Sequence, residues 1–120
     1  MDTELPLSIN KWGWNYHHIG IPTDKPMQNE KYIKSLKMYV TGFDISPYGI
    51  EWMRFEKDSP ISHLIQTVPH IAFEVENMNE ALKNKEIITS PHTISKGITV
   101  AMIIDNGAPI ELLEFKKSTQ

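Results

Sequence analysis

The sequence predicts an α+β fold in which two similar modules join their strands into one curved mixed sheet around a single metal site. Two observations carry that expectation. Short β-branched segments alternate with helix-like and turn-rich stretches. One pair of strand motifs also recurs in the same order: His18-Ile19-Gly20-Ile21 returns as His70-Ile71-Ala72-Phe73, and Ile50-Glu51-Trp52-Met53-Arg54-Phe55 returns as Ile110-Glu111-Leu112-Leu113-Glu114-Phe115.

The elements follow from local pattern. Residues 1–11 show no period and read as an arm or edge segment. Residues 14–21 read as a strand closed by Pro22. Asp24 and Pro26 mark a turn, and residues 30–40 read as a helix because Ile33, Leu36 and Val40 fall at helical spacing before Gly42. Residues 43–48 read as a short strand ending at Pro47, and 50–55 as a longer one. After the Asp58-Ser59-Pro60 turn, 61–65 suits one helical turn. Pro69 precedes a strand at 70–75, and Asn77 with Glu80 forms a capping box for a helix over 78–85. Ile87-Ile88 begin a strand-like stretch that Pro91 breaks. Residues 98–104 and 108–115 are strands joined by Asp105-Asn106-Gly107, since asparagine and glycine tolerate positive φ. Residues 116–120 form a polar tail. The repeat divides 1–120 into module one (about 14–58) and module two (about 66–116), too closely matched to be separate domains.

Composition narrows the chemistry. The 120 residues, 40% hydrophobic and 22% charged, suit one globular domain. No apolar run approaches a membrane span, and Met1-Asp2-Thr3-Glu4 lacks the features of a signal peptide, so a cytoplasmic location is expected. With no cysteine, thiolate nucleophiles and thiolate metal sites are excluded. A metal would have to use imidazole, carboxylate or water, which favours zinc, nickel, cobalt, manganese or iron. The net charge of −3 and the single arginine, Arg54, argue against nucleic acid as a partner.

Side chains alternate along a strand, so His18 shares a face with Gly20, and His70 with Ala72. A small residue two positions on leaves space near each imidazole. Glu51 and Glu111 hold equivalent places in the second motif. If the modules pair by pseudo-twofold symmetry, two histidines and two glutamates converge on one concave face. Two facing carboxylates repel, and a divalent cation resolves that repulsion. His18, Glu51, His70 and Glu111 are therefore the candidate ligands of one divalent metal ion, with remaining positions open to water or substrate.

Other candidates have blander readings. His17 should face away from His18 and be structural or at the surface. His63 and His92 fall in turn-like regions, although His92 could line the pocket. Glu74 shares the face of His70, and Glu114 should point away from Glu111 into solvent. Trp52 reads as core. Met53, Leu113 and Phe115 should wall the cavity, and Lys96-Gly97 reads as a solvated loop.

At the four ligand candidates the chain resembles the vicinal oxygen chelate superfamily, which includes glyoxalase I, methylmalonyl-CoA epimerase, extradiol dioxygenases and fosfomycin or bleomycin resistance proteins. The resemblance runs from Tyr16 to Phe115 and is best with the epimerase at Ile50-Glu51-Trp52-Met53, Asp58-Ser59-Pro60-Ile61, His70-Ile71-Ala72-Phe73-Glu74-Val75 and Pro109-Ile110-Glu111-Leu112. It implies two βαβββ-type modules and places the same four ligands, one on the first and one on the last strand of each module. A carboxylate at the second position, Glu51, resembles the glyoxalases and epimerases. Their shared chemistry is proton removal next to a carbonyl of a small-molecule substrate held through its oxygens. Glutathione hemithioacetals and CoA esters are the substrate types implied, with Glu51 or Glu111 offered as the base. The alternatives are a non-catalytic binding or resistance protein and, more weakly, an iron-dependent dioxygenase. Many relatives are homodimers, so a homodimer is expected. One departure stands out: only eight residues separate Gly42 from Glu51, so module one is shortened and expected to lack strands.

Overall fold

The computed structural model describes residues 4–116. The polar tail beyond 116 lies outside the described residues. Eight strands form one curved mixed sheet: β1 (Asn15–Pro22), β2 (Lys31–Ile33), β3 (Met38–Thr41), β4 (Ile50–Phe55), β5 (His70–Glu74), β6 (Glu86–Ser95), β7 (Ile98–Asp105) and β8 (Ala108–Phe115). Their spatial order is β2-β3-β4-β1-β5-β8-β7-β6, which is symmetric about the β1–β5 junction. β1 runs parallel to β4 and β5 parallel to β8, while β1 and β5 are antiparallel. Each module therefore contributes four strands in one order, and the modules meet along their first strands.

Three short helices complete the fold: α1 (Leu7–Asn10), α2 (His63–Thr67) and α3 (Met78–Ala81). Among the described residues none is long and apolar enough to cross a membrane. The arm expected at 1–11 thus contains one helical turn, and Ile9 from it packs on the core of module two. That core lies on the convex face, where Phe73, Val75, Ala101, Ile103 and Leu112 meet Met78 and Ala81 of α3 and Trp14. The concave face carries the second apolar layer, with Met38, Met53, Ile65 and Met102 at its centre.

Module one is short, but not for want of strands. Residues expected to form a helix at 30–40 form instead the β2–β3 hairpin, joined by a 3₁₀ turn at Lys34–Leu36 with Lys37 at φ 49°. Ile33 pairs with Met38, and Lys31 with Val40. Ile33, Leu36 and Val40 still pack together, because a hairpin can bring i, i+3 and i+7 to one side as readily as a helix does. What module one lacks is the helix, and strand pairing prevails through the aromatic and β-branched residues Tyr32, Tyr39, Val40 and Thr41. The convex face there is covered by side chains instead. Arg54 donates two hydrogen bonds to Glu30, at 2.9 and 2.7 Å, and lies 4.0 Å above the Tyr39 ring. Tyr39 packs on Tyr32, whose hydroxyl donates to Glu56 at 2.7 Å.

Residues 43–48 form turns, not the expected strand, and leave Phe43, Ile45 and Tyr48 exposed. The helix expected over 78–85 closes after Ala81. Asn77 caps it by accepting from Glu80 N at 3.0 Å, whereas the Glu80 carboxylate turns to Lys83 and leaves the reciprocal half of the box unmade. β6 passes straight through Pro91. It is an edge strand, where a missing N–H is tolerated, and its pairing slips by one residue between Thr89 and His92. The Asn106-Gly107 turn forms as expected, both residues at positive φ.

Candidate metal centre

The register of the central strands builds the site. Gly20 of β1 pairs with Glu51 of β4 on one side and with His70 of β5 on the other. Ala72 of β5 pairs with His18 of β1 and Glu111 of β8. Paired residues project to the same face, so two rows cross the junction: Glu51–Gly20–His70 and His18–Ala72–Glu111. In each row a glycine or alanine separates an imidazole from a carboxylate. Each module's histidine thus stands beside the small residue of the other module. A Cβ built on Gly20 would lie 2.2 Å from His70 Cε1, so only glycine admits that ring.

Three of the four candidates close on one another. The ligand atoms of His18, His70 and Glu111 all fall within 4.8 Å. His70 Nε2 is 2.9 Å from Glu111 Oε1, and His18 Nε2 is 3.3 Å from the same oxygen. Glu51 stands outside this tightest group, with Oε1 3.7 Å from His18 Nε2. Ligands bound at about 2.0–2.1 Å around one ion are themselves about 2.9–3.4 Å apart at tetrahedral or octahedral angles. The two spacings at Glu111 match those edges, while the 3.7 Å from Glu51 to His18 is longer. Both histidines are buried, and His18 Nε2 has no hydrogen-bond partner although it points at two carboxylates. A buried nitrogen left without a partner is uncommon, and a cation held here would use its lone pair. The donor set therefore fits a divalent ion bound through oxygen and nitrogen.

The two carboxylates experience opposite environments. Burial pushes Glu51 above the usual carboxylate range, and Glu111 adds to this, against the pull of His18 and His70. Burial also acts to raise Glu111, but the attraction of His18 and His70 outweighs it and holds the group at about 2. Burial lowers His18, yet the attraction of Glu111 and Glu51 more than compensates and raises it. Glu111 is thus the fixed anion of the site and Glu51 the carboxylate that accepts a proton more readily.

Glu51 also faces an opening. A cavity of about 1170 Å³ lies between the β2–β3 hairpin and β6, lined among others by Lys31, Lys34, Val40, Phe43, Glu51 and His92. His92 reaches it because of the slip at Pro91: Thr89 pairs with Met102 and His92 with Val100, so both face inward despite the odd spacing. Met53, Leu113 and Phe115, expected to wall the cavity, are not among its lining residues: Met53 and Leu113 are buried in the sheet's apolar layer and Phe115 is more than one-third exposed. Trp52 is half-buried on the convex face, with its ring against Gly42, and Lys96-Gly97 form a turn.

Two residues behave differently from expectation. β1 carries a bulge between Tyr16 and His18, which breaks the alternation and brings His17 Nδ1 to 2.8 Å from His18 Nδ1. Glu114 does point away from Glu111, but it is half-buried and accepts from Met78 N at 2.8 Å, capping α3. Neither contact has a local sequence signal. Glu74 is half-buried at the end of β5, and His63 is exposed at the start of α2.

Comparison with known protein families and with curated proteins returns no match. Solved structures do match. A hypothetical protein from Bacillus halodurans C-125 is 20% identical, with a TM-score of 0.65 over 89% of this chain and 98% of its own. Methylmalonyl-CoA epimerase from Mycobacterium tuberculosis is 15% identical, with a TM-score of 0.58 over 86% of this chain and 89% of its own. At these identities the likeness establishes the fold. The chain shares the fold of these two proteins, a fold like that of the vicinal oxygen chelate proteins, and carries a His18, His70 and Glu111 cluster able to hold a metal where its two modules join.

Proposed function

We propose that this protein is a metal-dependent isomerase or lyase of the glyoxalase–epimerase type, removing a proton next to a carbonyl of a small-molecule substrate. The observation that carries the proposal is the buried convergence of His18, His70 and Glu111, with Glu51 beside them at the cavity. The ligand set is His18, Glu51, His70 and Glu111, and the ion is zinc, nickel, cobalt or manganese. When bound, the ion supplies Lewis acidity toward the substrate's oxygens. Glu111, bracketed by two imidazoles, anchors the site and keeps its negative charge. Glu51 lines the cavity and accepts the proton at a carboxylate oxygen, since burial raises its proton affinity above that of an ordinary carboxylate. Val40 and Phe43 contribute apolar surface to the cavity that Glu51 faces. Solvent deuterium exchange into hemithioacetals and branched acyl-CoA esters, followed by proton NMR with metal-loaded protein, tests the proposal. Metal-dependent loss of the α-proton signal is the expected result, and it should disappear in Glu51→Gln. Metal uptake without exchange into any of these compounds would instead support a binding or sequestration protein. We also propose a homodimer, which sedimentation equilibrium tests; a monomer at all concentrations would refute it.

A further inference from the structure

We infer that His17 is the positioning residue of the metal centre: it fixes the tautomer and ring orientation of His18, so that His18 offers Nε2 to the ion. This inference rests on the metal reading above and adds a residue outside the four-ligand set.

The geometry begins with the backbone. Regular alternation would point His17 and His18 to opposite faces. The bulge between Tyr16 and His18 removes that constraint and places an extra residue on β1 opposite β5. The two rings then meet edge to face, with centroids 5.1 Å apart at 75°, and their Nδ1 atoms are 2.8 Å apart. The outer ring is itself held. His17 stacks on Phe43 at 5.0 Å and 15°, and lies 5.6 Å from the Phe115 ring.

The proton count follows from the chemistry of imidazole. A neutral ring bound through Nε2 must carry its proton on Nδ1. His18 Nδ1 then donates to His17 Nδ1, and His17 keeps its own proton on Nε2. A histidine that ligates a metal almost always gives its second N–H to an acceptor, and that acceptor sets both tautomer and aim. In most such sites the acceptor is a carboxylate or a carbonyl. Here a second imidazole occupies the position. The centre is unequal in this respect, because the equivalent nitrogen of the other histidine, His70 Nδ1, is buried with no partner. The ring of His70 is fixed instead by the close fit against Gly20.

Three substitutions separate the hydrogen bond from the packing. His17→Phe keeps a ring to stack on Phe43 but has no acceptor. His17→Asn keeps an acceptor oxygen near the Nδ1 position but loses the ring. His17→Ala loses both. Competition titration of metal-stripped protein with zinc and with cobalt reads the affinity, and melting of the stripped proteins checks that each variant is folded. The expected result is about 10–100-fold weaker binding in His17→Phe and His17→Ala, with most of the loss restored in His17→Asn. The cobalt absorption bands of His17→Phe should shift, since a merely structural residue would leave the ligand field unchanged. Nitrogen-15 NMR of zinc-loaded wild-type protein supplies a check free of mutation: His18 Nδ1 should be protonated and His17 Nδ1 bare. Wild-type affinity in His17→Phe, or a proton on His17 Nδ1, would overturn the inference while leaving the metal reading intact. No uptake by wild-type protein would overturn both.

Discussion

Gly20 and His70 lie side by side across the β1–β5 junction, and the absent side chain of one is the space occupied by the ring of the other. A methyl group at position 20 would stand 2.7 Å from both ring nitrogens of His70. Backbone movement is restricted there, because β1 is paired on both sides. Gly20→Ala should therefore displace His70, lower stability by about 1–3 kcal/mol through overpacking, and abolish tight metal binding. Urea denaturation and zinc titration of the variant measure the two effects separately.

Glu111 and Glu51 should differ as ligands. Glu111 contacts both imidazoles, whereas Glu51 reaches only His18, at 3.7 Å. Glu111→Gln should weaken metal binding beyond the roughly 100-fold typical of outer-shell changes. Glu51→Gln should weaken it less and act mainly on proton exchange. Calorimetric titration of both variants with zinc gives the order, and equal losses would remove the distinction.

The metal-free protein should be most stable in mildly acidic solution. Glu111 is held at about 2, below its ordinary 4.5, so its contribution is complete above 4.5 and is lost as pH falls toward 2. His18 is raised above its ordinary 6.5, so its contribution is complete below 6.5 and is lost as pH rises through the folded-state value. These are two ends of one interaction and do not add. Melting temperatures of chelator-treated protein across pH should peak between 4.5 and 6.5. In Glu111→Gln the profile should flatten. With zinc present the acidic limb should steepen, because protons compete for the ligands.

Arg54 should be irreplaceable by lysine. Its fork engages both oxygens of Glu30 while its plane lies on Tyr39, a combination that an ammonium group cannot reproduce. Arg54→Lys and Arg54→Ala should both lower the melting temperature, with metal affinity of the folded protein unchanged. A melting temperature equal to wild type in Arg54→Lys would show that the convex face of module one needs only a positive charge.

The convergence of His18, His70 and Glu111 is more legible in the sequence than the surrounding fold. Strand periodicity of two is enough to align His18 with Gly20 and His70 with Ala72, and the repeated motif supplies the pairing of modules. The register that sets Gly20 against His70, and Ala72 against His18, could not be read, since it depends on how β1 and β5 meet. The hairpin of β2 and β3 was hidden because Ile33, Leu36 and Val40 satisfy helical and hairpin packing alike. Strand alternation misplaces His17, because the bulge between Tyr16 and His18 reverses the direction it implies. The Glu30–Arg54 and Glu114–Met78 contacts join residues more than twenty positions apart, and no local pattern announces them.

The most direct measurement is the metal content of stripped protein reloaded separately with zinc, nickel, cobalt and manganese, in wild type and in Glu111→Gln. Uptake of about one ion per chain by wild type, lost in the variant, is the predicted result for an open site built from His18, Glu51, His70 and Glu111. No uptake of any of the four ions by folded wild-type protein would contradict the account.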